Sequence, residues 1–157
     1  MFRDITTLLK DPKGLQLLVD GLAEQYAKQK IDKIVGIEAR GFVIGAAVAY
    51  KLGVGFVPVR KSGKLPAQTF QQEYALEYGS DVIEIHQDAI TVGERVLLLD
   101  DLIATGGTAM AAVSLINQLG GNIIGCAFVI DLPDLGGMQR LQNIGLSTFA
   151  LCQFEGE

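Results

Sequence analysis

The sequence predicts an α/β domain in which a mostly parallel, twisted sheet is flanked by helices. Short runs rich in Ile, Val and Leu alternate with segments of helical period, the pattern of strands covered on both faces. The chain has 157 residues, 49% hydrophobic and 20% charged, which suits one full core rather than two. Its 19 glycines are scattered, and no repeat, charge block or linker interrupts the chain, so residues 1–157 are expected to form a single domain.

The elements follow in order. Asp11 can cap a helix that opens on Pro12 and ends near Lys30, with Leu15, Leu18, Val19, Leu22, Ala23 and Tyr26 on one face. "KIVGI" (33–37) reads as a short buried strand, and "GFVIGAAVAYKLG" (41–53) as a helix closed by Gly53. Strand "GFVPVR" (55–60) comes next. From Lys61 to Gly79 no period is sustained, so residues 61–79 read as a long, flexible excursion, partly a hairpin; loops of that length are usually functional. "DVIEIHQDAI" alternates in a strand-like way, and Gly93 turns the chain into strand "RVLLLDD". A helix is expected from about Thr105 to Leu119, with Met110, Val113, Ile116 and Leu119 facing inward. Strand "NIIGCAFVIDL", a short helix around 137–142 and strand "STFALC" complete the fold.

Several classes of function are excluded early. A formal net charge of -5 argues against a nucleic-acid surface, which needs clustered Lys and Arg. The apolar runs are too short to span a membrane, and "MFRDITTLLKD" lacks the layout of a signal peptide, which points to the cytoplasm. Cys126 and Cys152 lie in apolar stretches and read as buried free thiols. His86 has no catalytic partner at a suggestive spacing and reads as structural.

Chemistry concentrates in "VLLLDDLIATGGTA" (96–109). If a central strand ends near Leu99 and a helix opens at Thr105, then Ala104, Thr105, Gly106, Gly107 and Thr108 wrap a helix N-terminus, whose free amides suit a phosphate. Asp100 and Asp101 sit where carboxylates can accept from sugar hydroxyls or orient a hydrated magnesium ion. Phosphate on one side and a diol on the other describe a sugar phosphate. The bland alternative is an ordinary glycine-rich strand-to-helix turn. Neither a P-loop nor a complete dinucleotide fingerprint occurs.

Two further strand ends carry cations. "GIEARGF" offers Ala39 amide and Arg40 guanidinium to a diphosphate, although Arg40 alone reads equally as a surface salt bridge. "RKSGKLP" places Arg60, Lys61 and Lys64 at the base of the long loop, a basic patch in an acidic chain that, taken by itself, is an ordinary solvated face.

The aliphatic strand, two acids and [AT]-[ST]-G-G-T loop of "VLLLDDLIATGGTA" resemble the phosphoribosyl-diphosphate signature of the type I phosphoribosyltransferases, and the likeness extends over nearly the whole chain. It implies that family's fold, with a small N-terminal hood and a flexible catalytic loop. It also implies that 104–108 bind the 5′-phosphate, that Asp100 and Asp101 contact the ribose hydroxyls, and that "GIEARGF" is the pyrophosphate loop. Three phosphate-competent groups at three strand ends repel one another unless a multiply charged anion bridges them, as 5-phosphoribosyl-1-diphosphate would.

"MFRDI", "GKLP" and "EYALEYG" together resemble the branch of the family that acts on adenine, giving AMP and pyrophosphate. The resemblance implies Phe2 and Leu132 on the faces of the purine, Arg3 at its edge, and Glu77 as the proton-handling carboxylate brought in by the loop. It implies Mg2+ held mainly by the substrate's diphosphate and ribose, with Asp100 and Asp101 contributing indirectly, and a homodimer. The chain begins inside a motif that family members usually precede with a further segment, containing a Pro-Gly turn, that helps roof the base. Two alternatives stay open: transfer to another purine such as xanthine, and a phosphoribosyl-diphosphate-binding regulator without catalysis.

Overall fold

A computed structural model describes residues 5–76 and 78–155. The elements are α1 (Thr6–Leu9), α2 (Pro12–Tyr26), β1 (Lys33–Ile37), α3 (Arg40–Leu52), β2 (Gly55–Lys61), β3 (Thr69–Ala75), β4 (Ser80–His86), β5 (Arg95–Ile103), α4 (Gly107–Gln118), β6 (Asn122–Asp131), α5 (Gly137–Asn143) and β7 (Thr148–Gln153). A 3-10 turn at Pro133–Leu135 joins β6 to α5.

One seven-stranded sheet has the order β3-β4-β2-β1-β5-β6-β7. Strands β2, β1, β5, β6 and β7 are parallel, whereas β4 and β3 extend the sheet as an antiparallel hairpin from β2. The central strands carry the apolar runs: Leu97, Leu98 and Leu99 are fully buried, each contributing roughly 1.5–3 kcal/mol on removal from water. Side chains alternate across the sheet into two cores. Leu98, Phe128, Val113 and Ile116 fill one beneath α4, and Leu97, Leu99, Ile44 and Leu22 fill the other beneath α2 and α3.

The expected helix ends agree with local chemistry. The Asp11 carboxylate accepts the Gly14 amide at 3.0 Å with Pro12 at the first helical position, and Gly53 closes α3 at φ 72°. Helix α2 stops at Tyr26 rather than near Lys30. Helix α4 starts at Gly107 rather than Thr105, because Gly106 takes φ 87° as its N-cap. Strand β5 continues through Asp100 and Asp101 to Ile103. Of the four residues expected to face inward from this helix, Val113 and Ile116 are buried, Met110 is half-buried, and Leu119, the C-cap, is buried. Cys126 is buried as expected, but Cys152, near the end of the edge strand β7, is exposed, and its thiol donates to the Val129 carbonyl at 3.3 Å. His86 Nε2 accepts the Ala67 amide at 3.5 Å, a structural contact.

The topology fixes where a ligand belongs. The chain leaves β1 in one direction, to β2, and β5 in the other, to β6. In such sheets the crevice lies beyond the carboxyl ends of the two strands at the reversal. The segments leaving those strands are 38–40 and 104–108.

Candidate active site

The turn after β5 builds a small cavity of about 170 Å³ lined by Asp100, Ile103, the 104–109 backbone and Phe128. Gly107 and Thr108 open α4, so their amides have no acceptor within the helix and project at the positive end of its dipole. Two glycines permit this turn. A Cβ on Gly106 would lie 2.9 Å from Gly137 Cα, and one on Gly137 would lie 2.6 Å from the Ala104 carbonyl. Gly137 also donates its amide to that carbonyl at 3.0 Å, so the start of α5 braces the cradle. Arg140, one turn further on, donates through Nη1 to the Thr105 carbonyl at 2.9 Å. Gly137 and Arg140 were not legible as site residues, since only the fold brings them to Thr105.

Asp100 lines this cavity, and Asp101 follows it in β5. The Asp101 amide donates to Asp100 Oδ1 at 2.8 Å, and Asp101 Oδ2 accepts from Arg40 Nε at 2.5 Å. Burial first, and the neighbouring Asp101 charge second, hold the Asp100 carboxyl well above the usual carboxylate range. A Cβ on Gly41 would lie 2.9 Å from Asp100 Oδ1, so glycine at that position lets the start of α3 approach this carboxylate. The two carboxyl groups offer hard oxygens of the kind that orient a hydrated divalent cation. Among the described residues no group of three or more His, Cys, Asp or Glu converges on one point.

The basic residues gather on the other side of the crevice, and their charges are already answered. Glu38, in the turn after β1, accepts from Arg60 Nε at 3.2 Å, the Lys61 amide at 3.1 Å and Lys64 Nζ at 2.7 Å. Burial pushes its carboxyl up, but these donors outweigh it and hold it below its ordinary value. Arg60 also lies over the Phe42 ring at 5.7 Å. Lys61 Nζ bonds Asp81 and donates to Tyr74 Oη at 3.0 Å; those bonds, Asp81 first, raise its pKa. The repulsion expected among the cations is therefore relieved by Glu38, Asp81 and Asp101 before any anion arrives.

Leu132 follows β6 directly, is 5% exposed, and packs with Ile5, Ile130 and Leu135 in the core on the α2 and α3 side. Phe2, Arg3 and Glu77 lie outside the described residues. Ala39 is exposed beside Arg40 in a turn whose Glu38–Ala39 peptide is cis. The hairpin strand β3 reaches α4, where a cleft of about 630 Å³ is lined by Gln72, Tyr74, Met110, Ser114 and, at its end, Thr105 and Arg140.

A phosphate cradle, an acid pair and an arginine loop at the switch point of a five-strand parallel sheet define a protein that handles a phosphorylated sugar. The family model for the phosphoribosyl transferase domain matches residues 5–142. An adenine phosphoribosyltransferase of Nitrosospira multiformis is 67% identical over 156 residues, 99% of this chain and 89% of that one. The crystal structure of adenine phosphoribosyltransferase from Rhodothermus marinus superposes with a TM-score of 0.92 at 49% identity, covering 98% of this chain and 87% of the other. The enzyme from Saccharomyces cerevisiae, solved with an imino-altritol bisphosphate and adenine, superposes at 0.87 with 44% identity, over 96% and 86% of the two chains. The chain belongs to the phosphoribosyltransferase family, in its adenine phosphoribosyltransferase branch.

Proposed function

We propose that the protein transfers the 5-phosphoribosyl group of 5-phosphoribosyl-1-diphosphate to N9 of adenine, giving AMP and pyrophosphate. The observation that carries this reading is the adjacency of the 104–108 cradle and the Asp100–Asp101 pair at the β1/β5 switch point, with Arg40 joining that pair to the loop after β1. One end of the crevice takes a 5′-phosphate, the middle a diol, and the far end a diphosphate.

In the proposed reaction the C1′–O bond to the diphosphate breaks, N9 of the base bonds to C1′, and the N9 proton passes to the Glu77 carboxylate. The amides of 104–108 hold the 5′-phosphate, Asp100 and Asp101 orient the ribose hydroxyls, and Ala39, Arg40, Arg60, Lys61 and Lys64 receive charge on the leaving diphosphate. Phe2 and Leu132 sandwich the purine, with Arg3 at its edge. Asp100 and Asp101 would help indirectly to orient a magnesium ion held mainly by the substrate's diphosphate and ribose, and such an ion would further neutralise the leaving group. Segment 61–79 is the part of the chain proposed to close over the site and exclude water, whose attack on the activated sugar is the competing reaction.

The protein is proposed to work in the cytoplasm as a homodimer in which part of the basic cluster reaches the neighbouring subunit's site. No helix among the described residues is long and apolar enough to cross a membrane.

Steady-state assay with adenine and xanthine tests the reading: AMP formation with adenine that stops on chelation of magnesium is expected, and turnover of xanthine alone overturns it. Turnover also separates it from a binding regulator. Glu77→Gln is expected to lower kcat about 10²–10⁴-fold, and unchanged turnover would remove Glu77 from its role.

A further inference from the structure

Among the groups around the crevice, Glu38 has no part in the chemistry above, yet it is the one carboxylate in the sequence of the proposed pyrophosphate loop and it accepts three hydrogen bonds. It takes three donors from β2 and the turn that follows: Arg60 Nε and the Lys61 amide on Oε1, and Lys64 Nζ on Oε2. Its side chain is 14% exposed, while those of Arg60 and Lys64 are 35% and 49% exposed, so the cations face solvent and the anion sits behind them.

The frame around these cations is fixed independently. Glu84 accepts the Gly63 and Leu65 amides at 3.1 and 3.2 Å, which pins the backbone on both sides of Lys64. The Arg60 guanidinium lies over the Phe42 ring and bonds Glu38 through Nε, and among the described residues its terminal nitrogens have no hydrogen-bond acceptor. A diphosphate bound at this end of the crevice must therefore draw Lys64 away from Glu38, or share it, and must lie close to a carboxylate that repels it.

We propose that Glu38 is a positioning residue for the leaving diphosphate: it holds Arg60 and Lys64 in place while the site is empty, and its charge weakens the grip on pyrophosphate so that the product departs. The inference rests on the pyrophosphate-binding role assigned above to Arg60 and Lys64. It predicts an unusual direction, since removing this contact tightens a ligand instead of losing it. One negative charge placed about 5–6 Å from a multiply charged anion at the crevice surface is worth on the order of a tenfold change in affinity.

The test measures binding of inorganic pyrophosphate by calorimetry, with magnesium present, to the wild-type protein and to Glu38→Gln, Glu38→Ala and Glu38→Asp, alongside kcat and KM for the donor. Either neutral variant is expected to bind pyrophosphate about tenfold more tightly and to lose kcat with a lowered donor KM. Glu38→Asp, which keeps the charge, is expected to stay near wild type even where its shorter reach loosens Lys64. In a Lys64→Met background the tightening is expected to shrink, because Glu38 acts partly through that lysine. Pyrophosphate binding that is unchanged or weaker in every folded neutral variant overturns the proposal, and so does an aspartate variant that behaves like the neutral ones. If the wild-type protein binds no pyrophosphate and makes no AMP, the functional reading itself fails; if it does both and the neutral variants do not tighten, only the role of Glu38 falls.

Discussion

Arg40 Nε and Asp101 Oδ2 lie 2.5 Å apart, a bond that joins the turn after β1 to strand β5 across the crevice, 61 residues away in sequence. Asp101 is buried and Arg40 half-buried, so the pair is shielded enough for its loss to matter. In the proposed reaction the guanidinium meets the diphosphate and the carboxylate the ribose, so donor binding would redistribute this pair. Arg40→Ala and Asp101→Asn are each expected to lower kcat/KM for the donor about 10²–10³-fold. The double variant is expected to lose less than the product of the two, as a double-mutant cycle of initial rates would register. Arg40→Lys is not a rescue, because an ammonium cannot donate in the same fork.

Asp100, proposed to contact the ribose, costs the folded chain stability at neutral pH. Its carboxyl is held well above the usual range by burial and by the Asp101 charge, so the folded chain keeps a proton there that the unfolded chain has released. The sign follows from linkage: the stability contributed by this group falls as pH rises from the ordinary carboxylate value to the raised one. Asp100→Asn carries no charge at any pH and still offers an oxygen to the Asp101 amide. It is expected to be more stable than wild type near neutrality, by on the order of 1 kcal/mol, with the gain vanishing as pH falls to about 3.9. Thermal melts from acid to neutral pH check the trend, and the same variant is expected to lose transfer activity.

The parallel strands were legible because burial on two faces forces an unbroken apolar run, as in Val96–Leu99, and turns such as Asp11–Pro12 and Gly53 announce themselves by local chemistry. Strand β3 was not, since Thr69–Ala75 has no fully buried residue and is held by its pairing with β4. The cradle and the acid pair were readable from contiguous sequence. Their partners were not: Glu38 meets Lys64 across 26 residues and Arg140 meets Thr105 across 35, separations that no local period encodes. Glu38, which only the fold brings to Arg60 and Lys64, relieves the repulsion that the sequence alone predicts among the cations.

Gly137 tests whether the cradle is braced from α5. A methyl group there would sit 2.6 Å from the Ala104 carbonyl and 2.9 Å from the Gly106 amide, contacts with backbone that cannot swing aside. Gly137→Ala should shift α5 or the cradle, costing about 1–3 kcal/mol of stability and raising KM for the donor. The base should be bound as before once the donor saturates. Gly106→Ala should do the same and add strain, because its φ of 87° is unfavourable for a side chain. Adenine saturation curves at fixed donor separate this from a global loss of structure, which would lower kcat throughout.

Glu84 is 2% exposed on β4, yet it carries a full set of donors: Gly63 and Leu65 amides, Thr69 Oγ1 at 3.3 Å and Gln71 Nε2 at 3.0 Å. Burial pushes its carboxyl up, but the donors prevail and hold it below its ordinary value. A lowered folded-state pKa contributes stability above the unfolded value and loses it as pH falls through the folded one, the opposite sense to Asp100. Glu84→Gln keeps the shape but presents an amide N–H2 on one side, so Thr69 must turn its hydroxyl and Gln71 flip its amide to accept it, and the bonds to the Gly63 and Leu65 amides lose the carboxylate charge. We expect a loss of about 1–3 kcal/mol at neutral pH, smaller in acid, where the wild-type carboxyl is also protonated. Because Gly63 and Leu65 flank Lys64, the donor KM should rise by more than the adenine KM. A variant that is destabilised while both Michaelis constants stay fixed would show that the turn keeps Lys64 in place without Glu84.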